Sequence, residues 1–404
     1  MVKTELFVAR RFLVSGHKRF VSLLSLFSVL GILLSVATFI VVMGVMTGAQ
    51  TELKRRILGI TPHIIVSRFF DEPLEAYEEI TDDLRRQPGV VAASPFVYTK
   101  VMVSQGYLTD GAVLKGIPPD GGVKGPELRR LVVMGTFSLD TGTVLVGAVL
   151  ASHLRLMPGD TLEVLSPLAT LETPLGTVVQ TRRFRVAGIF DAGMYDYNAT
   201  LLFANLQDVQ HLLGWTHQVS GIEVDLRDPY AARRVARRLE NRLGYPYRAV
   251  SWMELNKSLF AALALEKLAM FVILALMVLV ASFSIVATLT IMVSQKTREI
   301  GILRSLGMSE RNILRVFLYT GMLIGVTGIL LGLGLGAGIA YVVEHSPWFR
   351  LPPEVYFVDH LPVLVKFRDV VLVAVVAWIT VLLTSLFPAR RASRLDPVEA
   401  IRYE

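Results

Sequence analysis

The chain has 404 residues, 53% of them hydrophobic, with a formal net charge of +7 and a mean hydropathy of +0.53. That composition is a membrane protein's, and it overrides the two or three globular domains that length alone suggests. There is no cysteine, which excludes disulfides, thiolate catalysis and cysteine metal sites, and the basic residues gather beside apolar runs instead of forming the aromatic-interleaved stripe expected of a nucleic-acid binder.

In chain order, residues 1–20 form an N-terminal segment carrying Arg10, Arg11, Lys18 and Arg19. A helix needs about 20 consecutive apolar residues to cross a bilayer, and four segments qualify: 21–47, 266–293, 316–343 and 369–388. Between them lie a large segment at 48–265, a short basic one at 294–315 and a loop at 344–368, with a tail at 389–404. Basic residues cluster in three places: the N-terminal segment, 294–315 (Lys296, Arg298, Arg304, Arg311, Arg315) and the tail (Arg390, Arg391, Arg394). All three fall on one side if every span crosses, and the positive-inside rule makes that side cytoplasmic. The expected fold is therefore an α-helical membrane protein with four transmembrane helices and a large α+β periplasmic domain inserted between helices 1 and 2. A cleaved signal peptide is the rival reading of the first span, whose apolar stretch is longer than the roughly 7 to 15 residues of such a signal.

Small residues recur four apart in the spans: Gly31 with Ser35, Gly44 with Gly48, and Gly328 with Gly332 and Gly336. Such spacing lets helices approach closely in lipid. GLGLGAG at Gly332 matches a loose dinucleotide fingerprint but sits inside a span with no preceding strand.

Segment 48–265 has the texture of an α+β domain. Strand-like runs begin at His63, Lys100, Ala112, Thr143, Asp160, Arg183, Ala199 and Gly221, and helical signatures follow Asp71, surround Gln207 and start at Asp228. His63, His153, His211 and His217 are scattered with no metal-ligand spacing, and no GxSxG elbow appears. No Gly-Lys pair occurs anywhere, so there is no Walker A loop, and any ATP hydrolysis needs another subunit. SPLATLETPLGTVVQTRR, Ser166 to Arg183, reads as a long connection between two strands. It is either a plain loop or a docking loop for a soluble partner, its prolines lowering the ordering cost and its arginines favouring recognition.

Segment 294–315 alternates basic residues with Ile300, Ile302, Leu303 and Leu306. Ile300, Leu303 and Leu306 recur at helical spacing and can fill a groove, while Arg298, Glu299 and Arg304 can pair with a partner's surface. The bland alternative is a basic membrane-anchoring loop.

KTREIGILRSLG at Lys296 and PARRASRLDPVEAIRYE at Pro388, taken with this layout, resemble the FtsX/MacB-type permeases of ABC transporters. The long apolar run from Phe20, LKRRILGITPHI at Leu53 and GMYDYNATLLF at Gly193 look like the LolC/LolE family, which releases lipoproteins from the bacterial inner membrane. The resemblance implies a non-catalytic permease that carries no cofactor of its own, with ATP and Mg bound by a LolD-like ATPase dimer. A second LolC/LolE-type permease or a second copy of the chain completes the complex, which contacts membrane lipid and takes as substrate a triacylated lipoprotein sitting in the outer leaflet. It makes Lys296, Thr297, Arg298, Glu299, Ile300, Gly301, Leu303, Arg304, Leu306 and Gly307 an ATPase-coupling helix. Thr173, Pro174, Leu175, Gly176 and Arg182 match the loop that captures a LolA-like periplasmic chaperone, although Glu172 departs from the apolar residue expected there. GMYDYN looks more like LolE, so one chain carries marks of both and resembles a LolF-type hybrid working as a homodimer. Acyl chains are expected to enter between the spans of two permeases, lined by Ile40, Met43, Val45 and Met46 of span one and Leu265, Leu268 and Met270 of span two, apolar and flexible side chains. The other readings are an FtsX-like mechanotransmission regulator that moves no substrate and a membrane-anchored sensor without an ATPase.

Overall fold

The computed structural model describes residues 2–14, 19–173, 176–346 and 362–395. Its helices are α1 (Val2–Val14), α2 (Arg19–Ile60), α3 (Tyr77–Arg85), α4 (Gly125–Leu131), α5 (Ala148–Leu154), α6 (Tyr195–Thr200) and α7 (Leu206–Leu213). They continue as α8 (Ala232–Leu243), α9 (Trp252–Leu255), α10 (Lys257–Gln295), α11 (Thr297–Ser305), α12 (Glu310–His345) and α13 (Phe367–Ser393). The strands are β1 (Ile64–Arg68), β2 (Val90–Gln105), β3 (Leu108–Ile117), β4 (Val132–Gly135) and β5 (Thr143–Gly147). After them come β6 (Thr161–Thr173), β7 (Gly176–Phe190), β8 (Leu201–Asn205), β9 (Gly221–Leu226) and β10 (Tyr247–Ser251). Two units separate, residues 1–51 with 262–404, and residues 52–261.

In the first unit, α2, α10, α12 and α13 are the four described helices long and apolar enough to cross a membrane. Their shared core joins Ile32, Val36 and Phe39 of α2, Ile285 and Leu289 of α10, Ile324 of α12, and Ala377 and Val381 of α13. Glycine decides how close they come. A Cβ on Gly332 would lie 2.8 Å from Val36 Cβ and from the Leu33 carbonyl, and one on Gly325 would lie 2.3 Å from Val381. One edge of α12 therefore receives α2 and another receives α13, the close approach that small residues allow where lipid offers no hydrophobic drive. Between α2 and α10 the contact is polar: the Ser28 hydroxyl lies 2.8 Å from that of Thr288 and 3.0 Å from that of Ser284.

The pair Gly44 and Gly48 behaves otherwise than its spacing suggests. The nearest atoms there belong to the non-helical residues 362–365, with Leu364 N donating to Gly44 O at 2.9 Å and the Pro362 carbonyl lying 2.0 Å from any Cβ on Gly48. A non-helical segment with its own backbone to satisfy needs a bare helix surface as much as a second helix does. At the other end of these helices a second cluster gathers Ala9 and Phe12 of α1, Met292 of α10, Ile300 of α11, Phe317 of α12 and Ala389 of α13. The N-terminal segment, legible in the sequence only as basic, is thus an amphipathic helix seated on α12, with its buried Glu5 paired to Arg315 at 3.3 Å.

The second unit is built on a mixed sheet in the order β10-β1-β9-β2-β3-β8-β5-β7-β4, with β6 pairing β2 and β7. β3 runs parallel to β8 and β5 to β7, and the remaining pairs are antiparallel. Two strands, β4 and β10, escape sequence reading: VVMG has only four residues, and YRAVS lacks the three consecutive apolar residues that mark β1, β5 and β8. The helix at Gln207 is capped as its residues suggest: Asn205 Oδ1 accepts from Gln207 N at 3.0 Å, and Gly214 ends it at φ +69°.

The last turns of α2 enter this unit's core through Ile57, and His63 follows at the head of β1. His63 Nδ1 accepts from Leu226 N at 2.9 Å, its own N–H donates to Asp225 at 3.2 Å, and its carbonyl accepts from Trp252 N at 3.0 Å. Burial holds the imidazole below its ordinary pKa against the opposing pull of Asp225, with Lys124 adding to the lowering and Glu127 opposing it. The folded state keeps His63 neutral, whereas the unfolded chain takes up a proton near pH 6.5. Stability from this residue is therefore present above that pH and is lost as pH falls below it. A pH series of thermal melts from 7 to 5 is expected to show declining stability, and His63→Gln is expected to flatten that decline. In the first unit, Gly332→Leu is expected to cost about 1 to 3 kcal/mol by overpacking against α2, measured as a lowered melting temperature in detergent.

Candidate functional site

The basic segment after α10 folds as a helix of two and a half turns locked at both ends. The Thr297 hydroxyl donates to Val293 O at 3.0 Å where α10 stops, and Gly307 at φ +95° reverses the chain so that Met308 N reaches Leu303 O at 3.1 Å. That conformation favours glycine. Ile300 is wholly buried and Gly301 is buried beside it, while Leu303 packs partly against the same cluster. Ile300 is consequently unavailable to a partner's groove, contrary to expectation: it fills the chain's own cavity between α1, α12 and α13, and Leu303 is only partly exposed.

Arg304 differs too. Its guanidinium donates to the Leu395 carbonyl just beyond α13 and pairs with Glu310 of α12 at 3.0 Å, so it braces three elements from within. Lys296 pairs with Glu299 and lies 5.6 Å from the centre of the Phe12 ring. What faces outward is Arg298, Glu299, Ser305 and two large apolar side chains, Ile302 (46% exposed) and Leu306 (79% exposed). Arg298, Ile302 and Leu306 are four apart and share one face. Of the residues expected to couple, the structure presents Arg298, Glu299, Leu306 and Gly307, and it adds Ile302.

The stretch Ser166 to Arg183 is a β-hairpin rather than a loop. β6 and β7 pair from Thr161 with Arg185 to Thr173 with Gly176, with one irregularity between Ser166 and Thr170. Beyond Leu165 the two arms pair only with each other among the described residues. The cause is a run of β-favouring residues on both arms, Thr170 to Thr173 and Thr177 to Val179. Thr173 and Gly176 are the last pair toward the tip; Pro174 and Leu175 lie outside the described residues. Arg182 is inward: its guanidinium pairs with the buried Asp208 carboxylate, which also accepts from Gly142 N at 2.6 Å. Arg183 is the outward cation, bonded to Glu163 at 2.7 Å.

The residues expected to meet acyl chains differ in burial within this chain. Ile40 (3% exposed) and Met43 (6% exposed) belong to the core between spans. The crevice beside them, bounded by Val365, Asp369 and Val373, holds about 10 Å³, at the limit for one water. Val45, Met46 and Met270 are half-buried, whereas Leu265 and Leu268 begin an exposed stripe on α10 that continues through Val272, Leu276, Leu279 and Phe283. No group of three or more His, Asp or Glu suited to a metal occurs among the described residues.

Arg182→Ala is expected to cost about 2 to 3 kcal/mol in chemical denaturation, near the low end for breaking a buried pair because the arginine is 28% exposed. Arg183→Ala, by contrast, is expected to shift stability by less than about 1 kcal/mol.

Residues 271–397 match the family described as FtsX-like permease C-terminal, and residues 25–242 match the MacB-like periplasmic core domain. The chain is 33% identical over 95% of its length, and 95% of the relative's, to the lipoprotein-releasing system transmembrane protein LolC of Xylella fastidiosa. It is 30% identical over the full length of both chains to the protein of that name from Neisseria meningitidis. To the lipoprotein-releasing system transmembrane protein LolE of Haemophilus influenzae it is 29% identical, over 99% of both.

Proposed function

The chain belongs to the LolC/LolE family of lipoprotein-releasing system transmembrane proteins, and on that premise we propose that it is the membrane permease of an ABC transporter that extracts lipoproteins from the outer leaflet of the bacterial inner membrane. It is a multi-pass inner-membrane protein with both termini cytoplasmic and residues 52–261 periplasmic. ATP is hydrolysed in a LolD-like ATPase dimer, and released lipoprotein passes to a LolA-like periplasmic chaperone. The observation that carries this reading is α11, whose inner face is locked by Ile300 and Arg304 while its outer face offers Ile302 and Leu306. A partner that grips the outer face moves the cluster behind it, and that cluster contains the ends of α10, α12 and α13.

Removing acyl chains from a bilayer costs about 0.8 kcal/mol per CH₂, so extraction needs both a driven motion and an apolar receiver. Among the described residues, no such receiver opens beside Ile40 and Met43, which are packed away. The apolar stripe of α10 from Leu265 to Phe283 supplies one wall. A second permease, of either type or a second copy of this chain, supplies the other. The arm formed by β6 and β7 serves as the chaperone's docking point, with Thr173, Gly176 and Arg183 on it, while Arg182 holds its base.

Reconstituted with its ATPase in proteoliposomes, the double variant Ile302→Glu, Leu306→Glu is expected to lose ATP-dependent lipoprotein release by about tenfold or more, since two charges enter an apolar contact. The ATPase is also expected to co-purify less. Normal release by that variant would sink the coupling assignment.

A further inference from the structure

Outward side chains of β10 (Arg248, Val250), β1 (Ile65, Ser67) and β2 (Tyr98, Lys100) form the floor of a groove of about 1670 Å³, on the sheet face opposite the core residues Ile64, Val66 and Ala249. All its lining residues lie within 52–261. The walls are Tyr197 of α6, Trp215 just after α7, and α9 with the first turns of α10, from Met253 to Phe260. None of this is used by the coupling helix or the hairpin.

Charge and apolar surface meet there in an unusual balance. Four cations line the groove, Lys100, Arg233, Arg248 and Lys257, and none has an ion-pair partner among the described residues. Two carboxylates face them, Asp71 and Glu254, and Glu254 is occupied in capping α9 through Ser251 N at 3.2 Å and Ser251 Oγ at 3.1 Å. Aromatic rings, Phe96, Tyr98, Tyr197, Trp215 and Phe260, supply much of the remaining surface.

The volume exceeds the roughly 300 to 1,000 Å³ of a small-molecule pocket. A purely apolar occupant such as an acyl chain would strip water from unpaired cations on the floor strands, which is costly. A small inorganic anion would leave the rings unused. An extended polypeptide satisfies both demands, because its side chains alternate between two faces and its carboxylates can answer Lys100 and Arg248 while apolar neighbours lie on the rings. We propose that this groove binds an extended, acidic polypeptide segment. Resting on the function proposed above, that segment is the stretch of lipoprotein cargo that follows the acylated terminus.

The test uses the full-length protein in detergent and two fluorescein-labelled peptides of equal length, one alternating Glu with Leu and Tyr, the other with Lys in place of Glu, read by fluorescence anisotropy. The acidic peptide is expected to bind about tenfold more tightly than the basic one. Lys100→Glu with Arg248→Glu is expected to reverse that order, and Lys100→Gln with Arg248→Gln to abolish it, with unchanged melting temperatures. Equal binding of both peptides, a preference that survives both double variants, or displacement of the acidic peptide by added phosphatidylglycerol would overturn the assignment. ATP-dependent release of a lipoprotein from proteoliposomes is measured in parallel. Release that persists while the peptides fail to bind counts against the groove alone; peptide binding without release of any cargo counts against the transport function alone.

Discussion

Everything in the first unit depends on how closely backbones approach along α12. Lipid offers helices no hydrophobic reward for association, so contact must come from packing and from the few polar groups between them. Gly321 and Gly325 admit Ser385 and Val381 of α13, and Gly328, Gly332 and Gly336 admit Val29, Leu33 and Ala37 of α2 with their neighbours. A single helix with two bare edges thereby holds two others. The serine and threonine contacts of Ser28 with α10 add direction to a surface that is otherwise uniform.

The same arrangement explains why α11 can be both rigid and receptive. Its buried face is shared with the ends of four other helices, so Ile300 and Arg304 fix its orientation; its exposed face is then free to carry apolar side chains that no internal contact needs. A short helix has little stability of its own. Seated in this way, it is a fixed helix rather than a loose connection.

In the second unit, charge is handled by pairing inside the fold. Lys115 meets Glu223, Lys124 meets Asp225 at 2.7 Å, and Arg182 meets Asp208, all with at least one partner buried. Breaking such a pair leaves an uncompensated charge, so these contacts hold register even where they add little net stability. The cations of the groove, in contrast, are exposed and have no ion-pair partner among the described residues.

Apolar length and basic flanks are local properties, and the sequence alone settled the four long apolar helices and the amphipathic character of Thr297 to Ser305 through them. Faces were a different matter. Ile300, Ile302, Leu303 and Leu306 share an arc of less than half a turn, with Ile300 at one margin and Ile302 at the other, so periodicity could not choose which margin would be buried; α1, α12 and α13 chose. Pro167, Pro174 and Gly176 read locally as a loop, while the ladder from Thr161 to Arg185 needs both arms at once. Ile40 and Met43 look the same in sequence whether they line a cavity or fill a core. The groove joins residues from Ile65 to Phe260, and no window of sequence contains it. Local composition determines which segments are apolar, helical or extended; burial and pairing are relations between segments distant in the chain, and only the tertiary structure decides them.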